Sequence, residues 1–338
     1  MKAARLYAAG DIRAEEMPAP PAPGPGEVLL AVEAAGICGS DLHNFRTGHW
    51  ISRSPSVAGH ELAGRLVAVG PGVEGFSPGD LVVADSRVWC GTCSECRDGR
   101  KQFCENLGFV GEVCDGGFAE QVVLPARLLH AVDPALDPAI AALAEPLAVA
   151  LHAVSRLAPA PGSAVLVAGC GPIGGLVALL LSRRHDGPLL IAERHAGRAA
   201  LVAHVTGARL VTLDAGSIAE ALNGARLMAA VEATGQIPVL SALLDRVAGG
   251  GRIALVGIFH ETLHLDPNRL VERGVALLGC HAFADEMAEA AALLPELAPQ
   301  LRRFVAEEIA IDAVPAAYER LLAGQGAGLK TIVRPALP

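Results

Sequence analysis

A cluster of cysteines marks the first half of the chain. Four of them fall within fifteen residues, at Cys90, Cys93, Cys96 and Cys104. Neighbours this close pair poorly as disulfides, whereas four thiolates fit one tetrahedral zinc ion. The residues between them are polar and turn-forming, as a loop folded around a metal requires. We therefore predict a closed, structural zinc site; adventitious cysteines, disulfides and a nucleic-acid zinc ribbon are the alternatives.

A second group of residues offers ligands for a metal with an open position. Cys38 begins the segment CGSDLH, which ends at His43, and His60 and Glu61 follow further along the chain. Thiolate, imidazole and carboxylate groups all bind zinc, and three protein ligands with one water characterise a catalytic site. Taken alone, His60 could be an ordinary hydrogen-bonded histidine and Cys38 a buried thiol. Their combination predicts catalytic zinc.

Glu145 is a further candidate ligand. It is the lone acid in the apolar run LAEPLA, where an unpaired carboxylate is costly. Pro146 disfavours helical geometry at the residue before it and is well suited to begin a helix. We expect Glu145 to stand just outside that helix, free to point at a metal. The alternative is that it merely caps the helix.

A glycine-rich turn opens the second half of the chain. The apolar run 164–168 leads into Gly169-Cys170-Gly171-Pro172-Ile173-Gly174, which begins a predicted helix. The pattern GxGxxG between a strand and a helix predicts a dinucleotide site, with the pyrophosphate at the helix N-terminus. Glu193 ends the next predicted strand, where an acid accepts hydrogen bonds from ribose hydroxyls and repels a 2′-phosphate. This favours NAD over NADP, although Arg194 could bind that phosphate.

The elements that must position these residues fall into two groups. Short β-rich runs at 27–36, 61–69, 80–84 and 118–124 predict a barrel-like unit interrupted by the cysteine segment. From about residue 146, apolar strands alternate with helices, which is typical of a parallel sheet covered on both faces. In that part we predict strands at 164–168, 188–193, 209–213, 227–233, 251–257 and 275–279, and helices at 172–184, 196–206, 217–223 and 237–247. Helices near 284–297 and 316–323 and a strand at 330–333 complete the chain.

Composition excludes several classes of protein. The chain has 338 residues, 52% of them apolar and 19% charged, which predicts about two folded domains rather than disorder. The net charge of −9 disfavours nucleic-acid and polybasic membrane binding. We see neither a run of about 20 uninterrupted apolar residues nor a secretory segment near the start. We therefore expect a cytoplasmic protein with reduced cysteines.

Six motifs occur in a familiar order. They are GICGSDLH (36–43), GHE (59–61), the cysteine cluster, DGGFAE (115–120), AEPLAVALHA (144–153) and GCGPIG (169–174). Together they resemble the zinc-dependent medium-chain dehydrogenase/reductase family over essentially the whole chain. The similarity is greatest to the polyol branch, which includes sorbitol, L-idonate 5-, galactitol and 2,3-butanediol dehydrogenases. Glu145, where alcohol dehydrogenases carry cysteine, is the main pointer to that branch.

The resemblance implies an α/β protein with two domains. A GroES-like β-rich catalytic domain is expected at 1–148 and 282–338, with the structural-zinc lobe at 88–106. A Rossmann domain, with its doubly wound parallel sheet, is expected at 149–281. In this family the active site lies in the cleft between the two domains, and members are homodimers or homotetramers.

The family also implies roles for individual residues. By motif position, Cys38, His60 and Glu145 match the catalytic zinc ligands, while Glu61 lies against the metal and in some members replaces the third ligand. Ser40 matches the hydroxyl that contacts the substrate oxygen, His43 the end of a proton relay, and Asp41 an acid that orients His60. The four clustered cysteines match the structural zinc ligands, which makes two zinc ions per subunit. For the cofactor we assign residues of the glycine turn and of the segments that follow it, namely Gly169, Gly171, Pro172, Ile173, Gly174, Glu193, Arg194, Arg198 and Val256.

The expected reaction is transfer of hydride from a secondary alcohol of a polyol or sugar acid to NAD+, which gives a ketone. Residues 280–283 (CHAF) lack the arginine that sorbitol dehydrogenases often carry near the substrate, which disfavours sorbitol itself. Threonine 3-dehydrogenase and a simple alcohol dehydrogenase are alternatives. A non-catalytic NAD(P)H-binding protein on the same fold is an alternative of another class.

Overall fold

The computed structural model describes residues 1–326 and 328–337, and it divides into two compact units. One unit comprises Met1–Glu145 with Met287–Pro338, and the other comprises Pro146–Glu286. We predicted boundaries after residues 148 and 281, a few residues from these divisions. The predicted segment 282–338 includes Ala327 and Pro338, which lie outside the described residues. The assignment of the units as catalytic and nucleotide-binding domains stays a prediction at this point.

Both units contain β-strands, and the second unit contains the six consecutive strands β11 to β16, with helices between them. In chain order the strands are β1 (Lys2–Ala8), β2 (Asp11–Glu16), β3 (Glu27–Gly36), β4 (Ser56–Val57), β5 (Glu61–Val69), β6 (Leu81–Ala84), β7 (Arg87–Val88), β8 (Gly108–Phe109), β9 (Gln121–Pro125), β10 (Leu129–Ala131), β11 (Ala164–Ala168), β12 (Leu189–Ala192), β13 (Arg209–Leu210), β14 (Leu227–Glu232), β15 (Arg252–Leu255), β16 (Ala276–Gly279), β17 (Val305–Ile309) and β18 (Lys330–Val333).

The helices are concentrated in the second unit and near the end of the chain. They are α1 (Gly39–Thr47), α2 (Ser94–Arg97), α3 (Pro138–Ala141), α4 (Ala144–Leu157), α5 (Pro172–Arg184), α6 (Ala196–Thr206), α7 (Ala215–Leu222), α8 (Ile237–Arg246), α9 (Asn268–Val271), α10 (Met287–Phe304) and α11 (Val314–Leu322). Short 3-10 turns cover Lys101–Phe103, Ala126–Leu128 and Ile311–Ala313.

The main sheet of the first unit has the strand order β10-β6-β5-β3-β18-β17, and β9 also pairs with β3. β3 alternates buried and half-buried residues, so that Val28, Leu30 and Val32 enter the core. Antiparallel pairing sets Gly36 opposite Glu61 on β5 and opposite Ile332 on β18. This register brings three segments that are distant in sequence to the same end of β3.

The second unit is built on a parallel sheet with the order β13-β12-β11-β14-β15-β16, as the alternating pattern predicts. β11 (AVLVA) is buried throughout because helices cover both faces of such a sheet. The strand order reverses between β11 and β14, and ligands of doubly wound sheets bind at that point, outside the carboxyl ends of the strands.

Several predicted boundaries were wrong. Helix α4 already includes Glu145 in its first turn, where Pro146 is tolerated because the amides there lack helical partners. Helix α10 continues to Phe304 past Pro295 and Pro299, although we predicted an end near residue 297. The N-terminal hairpin of β1 and β2, helix α1 and strand β17 were not predicted.

One segment of the described chain, Pro138–Leu157, is long and apolar enough to cross a membrane. Within it, 78% of the most apolar window is buried inside the fold, as is usual for a core helix. We did not predict a membrane-spanning length there, because Glu145 and Pro146 interrupt the apolar residues of this segment.

Candidate metal centres and cofactor site

Cys38, His60 and Glu61 come together in the first unit. Each offers one ligand atom, and these atoms all lie within 4.8 Å of one another. Cys38 is the residue before α1, and its backbone amide donates to Asp41 Oδ2 at 2.9 Å. Glu61 begins β5, so the pairing of β3 with β5 brings His60 and Glu61 close to the loop that carries Cys38. A thiolate, an imidazole and a carboxylate at this separation fit a zinc ion.

Two polar neighbours lie beside the nitrogen atoms of the His60 ring. Asp41 Oδ1 lies 3.6 Å from Nδ1, and Ser40 Oγ lies 3.5 Å from Nε2. Burial alone lowers the pKa of His60, but the charges of Asp41 and Cys38 outweigh it and raise the pKa well above its usual value. A metal binds the neutral imidazole, so metal binding at His60 would compete with its protonation.

Glu61 has a partner that sequence reasoning missed. Lys330 Nζ on β18 lies 2.6 Å from both carboxylate oxygens of Glu61 and donates to the carbonyl of Ile37 at 3.2 Å. Both charged side chains are almost fully buried. Burial opposes the charge on Lys330, yet Glu61 and Cys38 raise its pKa overall. The sequence offered a signal, since Lys330 is a lone charged residue at the start of the apolar strand KTIV. A lone charge in an apolar run needs a partner, but we applied that argument only to Glu145.

Glu145 lies near this group but outside it. Its Oε1 accepts a hydrogen bond from Ser86 Oγ at 2.6 Å, and its side chain is buried. Burial raises the pKa of Glu145 to about 7, with opposing contributions from His60, which lowers it, and Glu61, which raises it. Among the described residues, Glu61 rather than Glu145 shares the 4.8 Å group with Cys38 and His60. Which glutamate ligates the metal stays a prediction.

His43 lies on α1 and is buried. Its Nε2 is 3.4 Å from Thr47 Oγ1, and its ring packs against Trp50 with the ring centres 4.3 Å apart. Ser40 and His43 are thus on one short helix, with Ser40 facing His60. The role of His43 at the end of a proton relay stays a prediction.

The four cysteines form the second group of possible metal ligands. Their sulfur atoms lie within 4.8 Å of one another, with Cys104 Sγ 3.5 Å from that of Cys90. Backbone and hydroxyl groups of Thr92, with the amide of Cys93, donate to Cys90 Sγ and lower its pKa to about 5. Burial raises the pKa of Cys96 to about 12. A metal with a preference for thiolates would supply the charge that keeps all four deprotonated.

The glycine turn and the residues after β12 line a cavity of about 470 Å³ in the second unit. Gly169 has a positive φ of 94°, and a Cβ on Gly174 would lie 1.8 Å from the carbonyl oxygen of Gly169, so both positions require glycine. Glu193 accepts from the amides of Cys170 at 2.8 Å and His195 at 2.7 Å. Of the predicted cofactor residues, the lining includes Gly169, Gly171, Glu193, Arg194 and Arg198.

The remaining predicted cofactor residues lie outside that lining. Pro172, Ile173 and Gly174 form the first turn of α5. Val256 follows β15, and its amide donates to the carbonyl of Glu232 at 2.9 Å. Sequence reasoning missed Thr234 and Gln236, which line the cavity from the turn after β14. They lie beside the reversal of strand order at β14, which the sequence alone does not show.

Comparison with known proteins identifies the family. Residues 24–134 match the model of the alcohol dehydrogenase GroES-like domain. The chain is 34% identical over 258 residues, 74% of each chain, to L-threonine 3-dehydrogenase of Pyrococcus abyssi. It is 28% identical over 344 residues, 99% of this chain and 97% of the relative, to sorbitol dehydrogenase of Bacillus subtilis. A crystal structure of a zinc-binding dehydrogenase of Sinorhizobium meliloti bound to NADP is 29% identical, with a TM-score of 0.90 and 99% of each chain covered.

The chain therefore belongs to the zinc-dependent medium-chain dehydrogenase/reductase family, as its motifs indicated. The predicted fold class, a GroES-like domain with a Rossmann-type parallel sheet, is confirmed. The prediction of an enzyme, an oxidoreductase of the alcohol dehydrogenase type, is also confirmed.

Proposed function

We propose that this chain oxidises a secondary alcohol of a polyol or sugar acid to a ketone, with NAD+ as hydride acceptor. The observation that carries the proposal is the convergence of Cys38, His60 and Glu61 within 4.8 Å. Cys38, His60 and a glutamate would hold a zinc ion there, which would supply Lewis-acid chemistry that lowers the pKa of an alcohol, while NAD+ would supply the hydride acceptor.

The chain's own residues hold the alcohol and move its proton. Asp41 orients His60 through Nδ1, which leaves Nε2 available to a metal. Ser40 Oγ, beside that nitrogen, would accept the proton of the substrate hydroxyl while it releases its own proton toward His43. His43, on the same helix, would pass the proton to solvent. Glu61 and Glu145 would share the role of third ligand, with Lys330 and Ser86 as their respective partners.

For the cofactor we propose NAD, with NADP as the alternative. The Glu193 carboxylate is fixed at the cavity by two backbone amides, and it would repel a 2′-phosphate. Arg194 and Arg198 line the same cavity and could bind that phosphate. We expect wild type to prefer NAD+ in kcat/KM and Glu193→Ala to reduce this preference. A wild-type preference for NADP+ would contradict the assignment.

The four-cysteine cluster would hold a second, structural zinc ion, which makes two per subunit. We further propose that the protein is a cytoplasmic homodimer or homotetramer that binds small-molecule substrates. Light scattering after size-exclusion chromatography measures the subunit number directly, and a monomer would contradict this part of the proposal.

Substrate class is tested by a panel of L-idonate, sorbitol, galactitol, 2,3-butanediol and threonine, followed at the NADH absorbance. We expect the highest kcat/KM with a polyol or sugar acid. Threonine 3-dehydrogenase is the second candidate because the chain is 34% identical to that of Pyrococcus abyssi. Activity with threonine alone would establish it in place of the polyol assignment.

Two variants separate a catalytic from a structural metal. Cys38→Ser should abolish turnover while NAD binding, measured by fluorescence titration, stays near the wild-type value. Cys93→Ser should instead reduce stability. A non-catalytic NAD(P)H-binding protein would show cofactor binding with no substrate turned over and no zinc at Cys38 and His60.

A further inference from the structure

One buried hydroxyl close to the Cys38 group has no hydrogen-bond partner within the described parts of the chain. It belongs to Tyr318 on α11, whose side chain is 1% exposed. Buried hydroxyls in proteins nearly always have a partner, either a protein group or an ordered water. The Tyr318 hydroxyl therefore requires an explanation.

The ring of Tyr318 is held so that its hydroxyl is directed to one place. Phe45 packs edge-on against it at 5.4 Å between ring centres, and Phe118 does so at 6.4 Å. Phe118 is itself fixed, because a Cβ on Gly59 would lie 2.6 Å from its ring. A ring wedged in this way has little freedom to find a partner elsewhere.

A small cavity of about 10 Å³ adjoins Tyr318. Its polar wall is formed by Tyr318, Ser40, Asp41, Asn44 and Glu112, and apolar residues complete it. A volume near 10 Å³ is the lower limit for one water, which also needs two to four polar partners. The charges of Asp41 and Cys38 contribute to a pKa of Tyr318 well above its usual value, although burial is the largest cause. Tyr318 and Asp41 both line this cavity, which is the geometric basis for placing a bridging group between them.

Asp41 has capacity for another hydrogen bond. Its Oδ2 accepts from the amide of Cys38 at 2.9 Å, and its Oδ1 lies 3.6 Å from His60 Nδ1, too far for a good hydrogen bond. An ionised carboxylate has about four acceptor positions. A donor on the cavity side would therefore fix the orientation of the group that orients His60.

We propose that the cavity binds one water molecule, which accepts a hydrogen bond from the Tyr318 hydroxyl and donates one to Asp41. Tyr318 is then a positioning residue for the metal site, acting on His60 through the water and Asp41. Glu112, half-buried in the same wall, is available as a second acceptor for the water. This proposal depends on the proposed function in one respect, namely that Cys38 and His60 are metal ligands.

The test compares zinc-loaded wild type with Tyr318→Phe, which removes the hydroxyl and keeps the ring. Tyr7→Phe is the matched control, because Tyr7 also donates to an acid, Glu15, in a surface hairpin. Crystals that diffract far enough to show ordered water should contain a density peak within hydrogen-bonding distance of Tyr318 Oη and an Asp41 oxygen. That peak should be absent from Tyr318→Phe and present in Tyr7→Phe.

The second measurement is the rate at which a chelator removes the zinc whose loss abolishes turnover. We expect Tyr318→Phe to release it about tenfold faster, the lower end of the effect of losing an outer partner of a metal ligand. Tyr7→Phe should release it at the wild-type rate. A direct Tyr318–Asp41 hydrogen bond, an absent peak or an unchanged release rate would each overturn the proposal. So would a Tyr318→Phe protein more stable than wild type, since this indicates an unpaired hydroxyl.

Failure of the proposed function would look different. Wild type would then bind no zinc at Cys38 and His60, which elemental analysis of Cys38→Ser against wild type detects. The water peak can still be sought in metal-free crystals, where it tests the cavity by itself.

Discussion

The buried ion pair between Lys330 and Glu61 should contribute strongly to the stability of the fold. Lys330 joins β18 to the start of β5, and it makes two contacts of 2.6 Å with the carboxylate and a third, of 3.2 Å, with the carbonyl of Ile37. The two side chains are 2% and 0% exposed. Lys330→Met keeps much of the side-chain volume and removes the charge, which leaves Glu61 buried without its cation.

The expected loss follows from that burial. Breaking a buried ion pair by removing one partner costs about 3–5 kcal/mol, because the remaining charge is neither solvated nor paired. Removing both charges costs much less, so Lys330→Met combined with Glu61→Gln should regain about 2 kcal/mol or more over Lys330→Met alone. The exposed pair of Lys2 and Asp312 offers a matched control, since Lys2→Met removes a solvated charge and should change stability little.

The assay is urea unfolding of the metal-free proteins, with the free energy of unfolding taken at constant pH for wild type, both single variants and the double variant. Metal-free protein is needed because a bound cation would itself partner Glu61. A loss of less than about 1 kcal/mol in Lys330→Met, or a double variant less stable than Lys330→Met, would contradict this expectation. Either result would mean that the pair is solvated or that Glu61 is protonated when buried.

Three further predictions concern the same residues and the cysteine cluster. The pKa of Glu145 is about 7 in the folded metal-free protein and about 4.3 in an unfolded chain. The folded state therefore binds more protons between these values, and stability should fall by about 4 kcal/mol as pH rises through them. Glu145→Gln should abolish that fall in denaturation curves recorded across the range, and an unchanged slope would show that another group titrates. Gly36→Ala would place a Cβ 2.0 Å from Glu61 Oε2, whereas Gly39→Ala meets nothing within 4 Å; elemental analysis should show zinc loss in the first variant only, and equal zinc contents would contradict the predicted clash. Cys93→Ser should bind one zinc fewer per subunit and unfold at a lower temperature, because a closed zinc site contributes to folding energy; an unchanged zinc content would eliminate the structural site.

The sequence was most informative where chemistry and local geometry coincide. The glycine turn needs Gly169 and Gly174 for a positive φ and a close approach, and both requirements are visible as a motif. The spacing of Cys90, Cys93, Cys96 and Cys104 likewise predicts the cluster that they form. Apolar runs such as AVLVA are long enough to show that both faces of a strand are buried.

The missed features depend on contacts between distant segments. Lys330 contacts Glu61 because β18 pairs with β3. Ser86 donates a hydrogen bond to Glu145, which lies 59 residues further along the chain. Periodicity describes one segment at a time and does not reveal such partners. Helix α10 continues past Pro295 and Pro299, and Leu294, Leu297 and Leu301 are buried along it, so packing outweighs the local cost of proline in a helix.

In the proposed function, alcohol oxidation requires a metal held by Cys38, His60 and a glutamate. The most direct measurement is NAD-linked turnover during stepwise removal of zinc by a chelator, with zinc counted and NAD binding titrated at each step. We expect turnover to fall to zero with the zinc lost from this site, NAD binding to persist, and added zinc to restore activity. Undiminished turnover in protein that has lost this zinc would contradict it.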